Sequence, residues 1–135
     1  MNMYTNRSFQ SAKDVMTKKL VFIDGMATAK EAVEIMRREK VEALIVKKRH
    51  EKDAYGIVMV HDFIKGVIIP DKTSEEVNVF EIMNKPAICV PADMDVRYVA
   101  NLLMTIGFRM APVEENGEYI GMVALSDLIL ENLLF

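Results

Sequence analysis

Two aspartates, Asp62 and Asp127, close matching stretches of this chain: Tyr55-Gly56-Ile57-Val58-Met59-Val60-His61-Asp62-Phe63-Ile64 and Ile120-Gly121-Met122-Val123-Ala124-Leu125-Ser126-Asp127-Leu128-Ile129. Each stretch opens with a glycine, runs through an apolar segment too short for a typical helix, and reaches an aspartate just before a second apolar run. The pattern predicts a buried strand, a turn and a helix start. A carboxylate at such a junction has two jobs open to it. It can cap the helix by accepting a backbone N–H, or turn outward and accept hydrogen bonds from a ligand's hydroxyl groups. Four cationic side chains are placed to serve an anion nearby, each with a plainer alternative. Arg109 follows Phe108 at a strand entry, where a guanidinium either pairs with phosphate or is simply solvated. His61 precedes Asp62 and is otherwise an exposed turn histidine. Lys18 and Lys85 hold the same place in the two halves, just after Met16-Thr17 and Met83-Asn84, and are otherwise surface lysines.

Catalytic chemistry lacks its parts. There is no His/Cys cluster at metal spacing, no glycine-rich phosphate loop and no activated-serine motif, and neither His50 nor His61 lies near a plausible nucleophile. The expectation is a non-enzyme with no required cofactor and no metal. Its single cysteine, Cys89 in Ala87-Ile88-Cys89-Val90, reads as a small apolar strand residue, against the sharper alternative of a reactive thiol. A net charge of -3 gives no basic footprint for nucleic acid. The polar start at Met1 to Gln10 is not a secretory signal, and no apolar run approaches the ~20 residues of a membrane span, so the expected location is cytoplasmic. With 51% hydrophobic residues over 135, the chain can bury one real core.

The elements that must position these groups follow from the same patterning. Ser11-Ala12-Lys13-Asp14 has the form of a capping box and predicts a short helical turn through Val15 and Met16. Leu20 to Ile23 reads as a strand. Thr28-Ala29-Lys30-Glu31 is a second capping box, opening an amphipathic helix of about three turns with Ala29, Ala32, Val33, Ile35 and Met36 apolar. Val41 to Val46 and Ala54 to Met59 are strands, joined as a hairpin by the charged turn Lys47 to Asp53. Asp62 then starts a helix that Gly66 weakens and Pro70 ends. The second half repeats the plan. Asn78 answers Ser11, Glu81 answers Asp14, Ile88 to Val90 answers Val21 to Ile23, Asp95 replaces Thr28 as cap, and Phe108 to Val113 answers Val41 to Val46. The spacing of the copies changes at the hairpin turn, Glu114-Glu115-Asn116-Gly117 being the shorter one, as surface turns allow; few paired positions are identical, so the repeat rests on pattern and landmarks.

The expected fold is therefore α/β (α+β): two β-α-β-β-α repeats packed about a pseudo-two-fold axis in one compact module. Residues 1–10 form a flexible segment, 11–70 the first motif, 71–77 a connector and 78–135 the second. Facing repeats leave clefts between them, a usual place for a small ligand.

These residues resemble a tandem of cystathionine-β-synthase (CBS) domains, the Bateman module. The likeness spans Ser11 to Phe135. It rests on Asp14-Val15-Met16-Thr17 and Glu81-Ile82-Met83-Asn84, on the helix ends Ile35-Met36 and Leu102-Leu103-Met104, on Phe108-Arg109-Met110-Ala111-Pro112-Val113, and on the two glycine-to-aspartate stretches. The resemblance implies a regulatory module that binds an adenine nucleotide (AMP, ADP, ATP) or S-adenosylmethionine, pairs into a homodimer and signals to a partner protein. It implies ribose binding by Asp62 and Asp127, phosphate contacts from Arg109, His61, Lys18 or Lys85, and a cleft lined by Gly56, Met59, Met110, Pro112, Gly121 and Ala124. The family motif carries Ser or Thr where this chain has Met59 and Ala124. The alternative is thus a module without ligand, working as a dimerising or docking platform. The chain offers no catalytic or transport domain to regulate, so the target is expected to be another protein. The eleven methionines suit an adaptable interior. The apolar tail from Leu128 to Phe135 is expected to pack partly on the core and partly on a second subunit, whether parallel or antiparallel.

Overall fold

The structure is a computed structural model that describes residues 9–131. In chain order its elements are α1 (Ala12–Val15), β1 (Phe22–Ile23), α2 (Ala29–Glu39), β2 (Ala43–Val46), β3 (Gly56–Met59), α3 (Val60–Phe63), a π-helical turn (Ile64–Ile68), α4 (Val79–Ile82), β4 (Val90–Pro91), α5 (Val96–Ile106), β5 (Met110–Glu115), β6 (Glu118–Ala124) and α6 (Leu125–Leu130). They form two three-stranded sheets, β1-β2-β3 and β4-β5-β6. In each sheet the first pair is parallel, with a helix as the crossover, and the second is an antiparallel hairpin. The repeated strand-helix-strand-strand-helix plan is what the patterning predicts.

The chain divides into two compact units. One is Leu20–Ala87. Its helix α2 starts where Thr28 Oγ1 accepts the Glu31 N–H at 3.1 Å, while Glu31 Oε1 accepts the Thr28 N–H at 3.0 Å. The Thr28 N–H first, and the Thr28 hydroxyl donating to the same Oε1 at 3.0 Å second, hold the Glu31 carboxyl below its ordinary pKa. Ala29, Ala32 and Met36 turn inward from α2. Strands β2 and β3 are buried at every position, so neither sheet face is open to solvent there. The core of Ile23, Leu44, Val46, Val58 and Phe63 also takes in Val77 and Val79 from the α4 region. Each such side chain contributes about 1.5–3 kcal/mol on full burial.

The other unit joins the described residues up to Lys19 with those from Ile88 on. Helix α5 is capped by Asp95, whose Oδ1 accepts the Arg97 N–H at 3.0 Å, and stops at Gly107 in the left-handed region (φ 74°). The β5–β6 turn places Asn116 and Gly117 at φ 55° and 82°, the pair of positive values a tight hairpin demands. Val90, Val99, Leu103, Val113 and Val123 form the core with Ala12 and Val15 of α1.

The short helices are therefore exchanged. Helix α1 precedes the first strand but builds onto the second sheet: Ala12 N–H donates to Met94 O at 2.8 Å and Thr17 pairs with Met122. Helix α4 precedes the second set of strands but builds onto the first sheet, where Val79 N–H donates to Ala27 O and Asn84 pairs with Ile57. The glycines that open the two motifs sit under these crossings. A Cβ on Gly121 would stand 2.4 Å from the Thr17 carbonyl oxygen, and one on Gly56 would stand 2.8 Å from Met83 Sδ.

Several boundaries differ from expectation. Strands β2, β3 and β5 begin at Ala43, Gly56 and Met110, two residues later than expected, and β5 continues through Glu114 and Glu115, which were expected in the turn. The helix after β3 begins at Val60, not Asp62, because the chain turns helical directly from the strand and Asp62 occupies the third helical position. Cys89 lies just before β4 rather than within a strand. Its thiol is within 3.7 Å of Glu114 Oε2. Burial first, and the Glu114 charge second, push its pKa up and keep it protonated, which fits the inert reading. Of the apolar tail, Leu128 is buried while Ile129 and Leu130 are exposed. Residues 132–135 and 1–8 lie outside the described range.

Candidate functional site

Asp62 is held in place by its surroundings. It is 6% exposed, and its Oδ2 accepts the Met59 N–H at 2.8 Å and the Asn84 Nδ2–H at 3.0 Å. Oδ1 lies 3.3 Å from His61 Nε2. The first bond ties the β3–α3 junction shut. The second joins that junction to the segment after α4. A carboxylate has about four acceptor positions, so this one spends most of its capacity within its own unit. The structure shows Asp62 capping the β3–α3 junction. Met59 beside it is 3% exposed and belongs to the core. Gly56 is buried beneath the Asn84 crossing.

Asp127 stands differently. It is part-exposed in the first turn of α6. Burial is the larger cause of its raised pKa, with the Glu131 charge one turn on as the smaller. Hydrogen-bond donors from a ligand would relieve that penalty. The first N–H of α6, on Leu125, donates to Arg109 O at 2.8 Å. Arg109, whose side chain is exposed, thereby enters β5 beside the helix that carries Asp127. Met110 pairs across the hairpin with Ala124, both half-buried. Arg109, Met110, Ala124 and Asp127 thus gather at one corner of the second sheet. Pro112 and Gly121 do not join them: both are buried further along the hairpin.

The equivalent corner of the first sheet has opposite charge. Ala43 pairs with Met59 as Met110 pairs with Ala124, so the residue before Ala43 answers Arg109, and that residue is Glu42. Lys18 is exposed. Lys85 is committed elsewhere: its Nζ lies 2.8 Å from Asp53 Oδ2, which also takes Arg49 Nε at 3.1 Å. These contacts, Lys85 first, hold the Asp53 carboxyl well below the usual carboxylate range. The pairing along β2 and β3 sets Val46 beside Gly56 at one end and Ala43 beside Met59 at the other, so the Asp53 end and the Asp62 end are opposite.

Three residues that matter here were not singled out by sequence reasoning. Asn84 carried a signal, since it stands where Thr17 stands in the first half. Glu42 carried one too, as the charge-reversed counterpart of Arg109. Asp53, one acid in a mixed charge run, carried none. Among the described residues no cluster of three or more His, Cys, Asp or Glu side chains could hold a metal ion. Nor is any helix among them long and apolar enough to cross a membrane.

A family model for the CBS domain matches the chain twice, at residues 12–68 and 79–133. An uncharacterised protein of Methanopyrus kandleri is 30% identical over 88% of this chain and 61% of its own length. The mitochondrial CBS domain-containing protein CBSX3 of Arabidopsis thaliana is 29% identical over 86% of this chain, again covering 61% of the relative. The chain thus spans about three fifths of the length of these curated relatives. Among solved structures, a hexameric CBS-CP12 protein from bloom-forming cyanobacteria superposes with a TM-score of 0.88 at 35% identity, over 93% of this chain and 70% of that one. A CBS domain protein of Thermoplasma acidophilum gives 0.81 at 30% identity, over 90% and 68%.

Proposed function

Because the chain belongs to the CBS-domain family, with one copy in each half, we propose that it is a regulatory module whose adenosyl ligand is held at the Asp127 corner. Modules of this family are generally regulatory. The observation that carries the reading is the difference in burial and in neighbouring charge between the two aspartates. Asp62 is 6% exposed and stands at the corner that carries Glu42. Asp127 is part-exposed, carries a desolvation penalty, and has Arg109 at the neighbouring strand entry. A carboxylate beside a guanidinium suits a ligand that presents paired hydroxyls to one and an anion to the other, as AMP, ADP and ATP do. S-adenosylmethionine offers the hydroxyls without the phosphate. The ligand acts on a partner protein to the extent that it binds one conformation of the module better than another.

A thermal-shift titration with these four compounds tests the proposal. A ligand that binds only the folded chain raises the midpoint with the logarithm of its excess over Kd. The expected result is a rise with an adenine nucleotide that Asp127→Ala abolishes and Arg109→Gln weakens by about tenfold, whereas Asp62→Ala lowers the starting midpoint but keeps the rise. No rise at millimolar concentrations of any of the four would overturn the sensor reading in favour of a ligand-free docking platform. A rise lost in Asp62→Ala and kept in Asp127→Ala would put the ligand at the wrong corner.

A further inference from the structure

At the Val46 end of the first sheet, away from Asp62, the unit Leu20–Ala87 contains a cavity of about 480 Å³ lined by two walls of unlike chemistry. That volume falls in the range of small-molecule sites. One wall is apolar: Met26 and Phe80 are 70% and 48% exposed, with Val46 and Met83 behind them. Gly25 lies against the apolar residues, where an added Cβ would only just touch Val46 and Phe80. The remaining lining is mostly cationic: Lys47, Lys48, Arg49 and Lys85. It is not a loosely solvated charge run. Asp53, its carboxylate 8% exposed, grips the backbone N–H and Nε of Arg49 and the Nζ of Lys85 at 2.8–3.1 Å. Lys48 Nζ rests 4.8 Å above the Tyr55 ring. One acid therefore fixes two cations and neutralises one of them. Of the lining residues only Asp24 is acidic, and its Oδ1 already accepts the Met26 N–H at 2.8 Å. The pinned guanidinium keeps its terminal N–H groups for another acceptor, and an ammonium keeps two of its three donors.

The geometry points to a second ligand site here, for a small organic anion: a phosphate or carboxylate borne on a flat apolar body. The anion meets the Lys47–Arg49 and Lys85 wall, and the body covers Met26 and Phe80. An inorganic anion alone would leave the exposed apolar wall wet, and a neutral ring would leave the cations unmatched.

The test uses the whole chain, titrated with 1-naphthyl phosphate and followed by amide NMR shifts. Shifts are expected at Gly25, Met26, Lys47 and Lys48. Inorganic phosphate and 1-naphthol should each bind at least about tenfold more weakly than the joined molecule. The double variant Lys47→Gln, Lys48→Gln, whose side chains are exposed and leave the core untouched, should weaken 1-naphthyl phosphate by about tenfold or more. Unchanged affinity in that variant, shifts confined to other residues, or 1-naphthol binding as well as its phosphate would each overturn the proposal. Repeating the titration on Asp127→Ala keeps the two sites apart. Retained binding supports the cavity, whether or not nucleotides bind at Asp127; lost binding assigns the ligand to that corner and sinks the second site.

Discussion

Gly56 and Gly121 lie beneath the points where a segment from elsewhere in the unit passes closest to the sheet. Neither has a positive φ, so the demand is for space alone. The two crossings are not equally tight. A methyl group at 121 meets a backbone carbonyl oxygen at 2.4 Å, whereas at 56 the nearest atom is the end of a flexible methionine at 2.8 Å. Gly121→Ala is therefore expected to cost more than Gly56→Ala, about 3 kcal/mol against about 1 kcal/mol, by analogy with overpacked cores. Denaturant melts of the two variants measure this, and equal losses would show that the crossing yields as easily as a side chain. The same residues mark the limit of what the sequence discloses. That a glycine opens each motif is plain from the repeat, but a glycine lining an open cleft and a glycine pressed under a crossing strand look identical until the crossing partner is known. Asp62 has the same ambiguity. Its capping of Met59 is a local relation, legible in principle from the spacing of three residues, while its bond to Asn84 spans a separation that no spacing rule reaches.

At the level of elements, local chemistry was enough wherever the partner lay within one turn. The capping boxes at Ser11 and Thr28 stand where the residues placed them, and both hairpins form between the expected strands, the second with a turn of only Asn116 and Gly117. The π-helical turn at Ile64–Ile68 did not show in the sequence. Gly66 was read as a weak point in a helix. In the structure it is where the turn meets α4: a Cβ there would lie 2.3 Å from Ile82 Cγ2 and 3.1 Å from Ile82 Cβ. Two effects then oppose each other in Gly66→Ala. Alanine favours helical backbone by about 1 kcal/mol over glycine, but the clash with a β-branched side chain costs about 1–3 kcal/mol. The clash is expected to win, making Gly66→Ala destabilising. The double-mutant cycle with Ile82→Ala decides the cause. Without Cγ2 in the way, Gly66→Ala should become neutral or stabilising, an interaction of about 1 kcal/mol or more. A change that is equally unfavourable in both backgrounds would mean that the turn itself, not Ile82, requires glycine.

For the whole molecule, the exchange of the short helices decides which pieces of chain hold their own core. The sequence repeat suggests a first motif at 11–70, and a family match at 12–68 follows the same lines. A fragment cut there carries α1, whose Ala12 and Val15 belong to the core built on β4–β6, and lacks α4 and the residues before it. It would lose Val77 and Val79, which are 2% and 0% exposed in the core beside Leu44 and Val58. Those two valines alone represent about 3–6 kcal/mol of burial, comparable to the whole stability of a small domain. The fragment Leu20–Ala87 keeps them, together with the Asn84 bonds to Ile57 and Asp62. Of two fragments of similar length, the one offset from the repeat is therefore expected to give a cooperative melt by circular dichroism, and the one that follows the repeat is expected not to. If residues 11–70 melted cooperatively at the higher temperature, the contacts of α4 would be secondary to the strand-helix-strand-strand-helix plan. If Leu20–Ala87 does so, the piece that evolution repeated and the piece that folds are different stretches of the same chain.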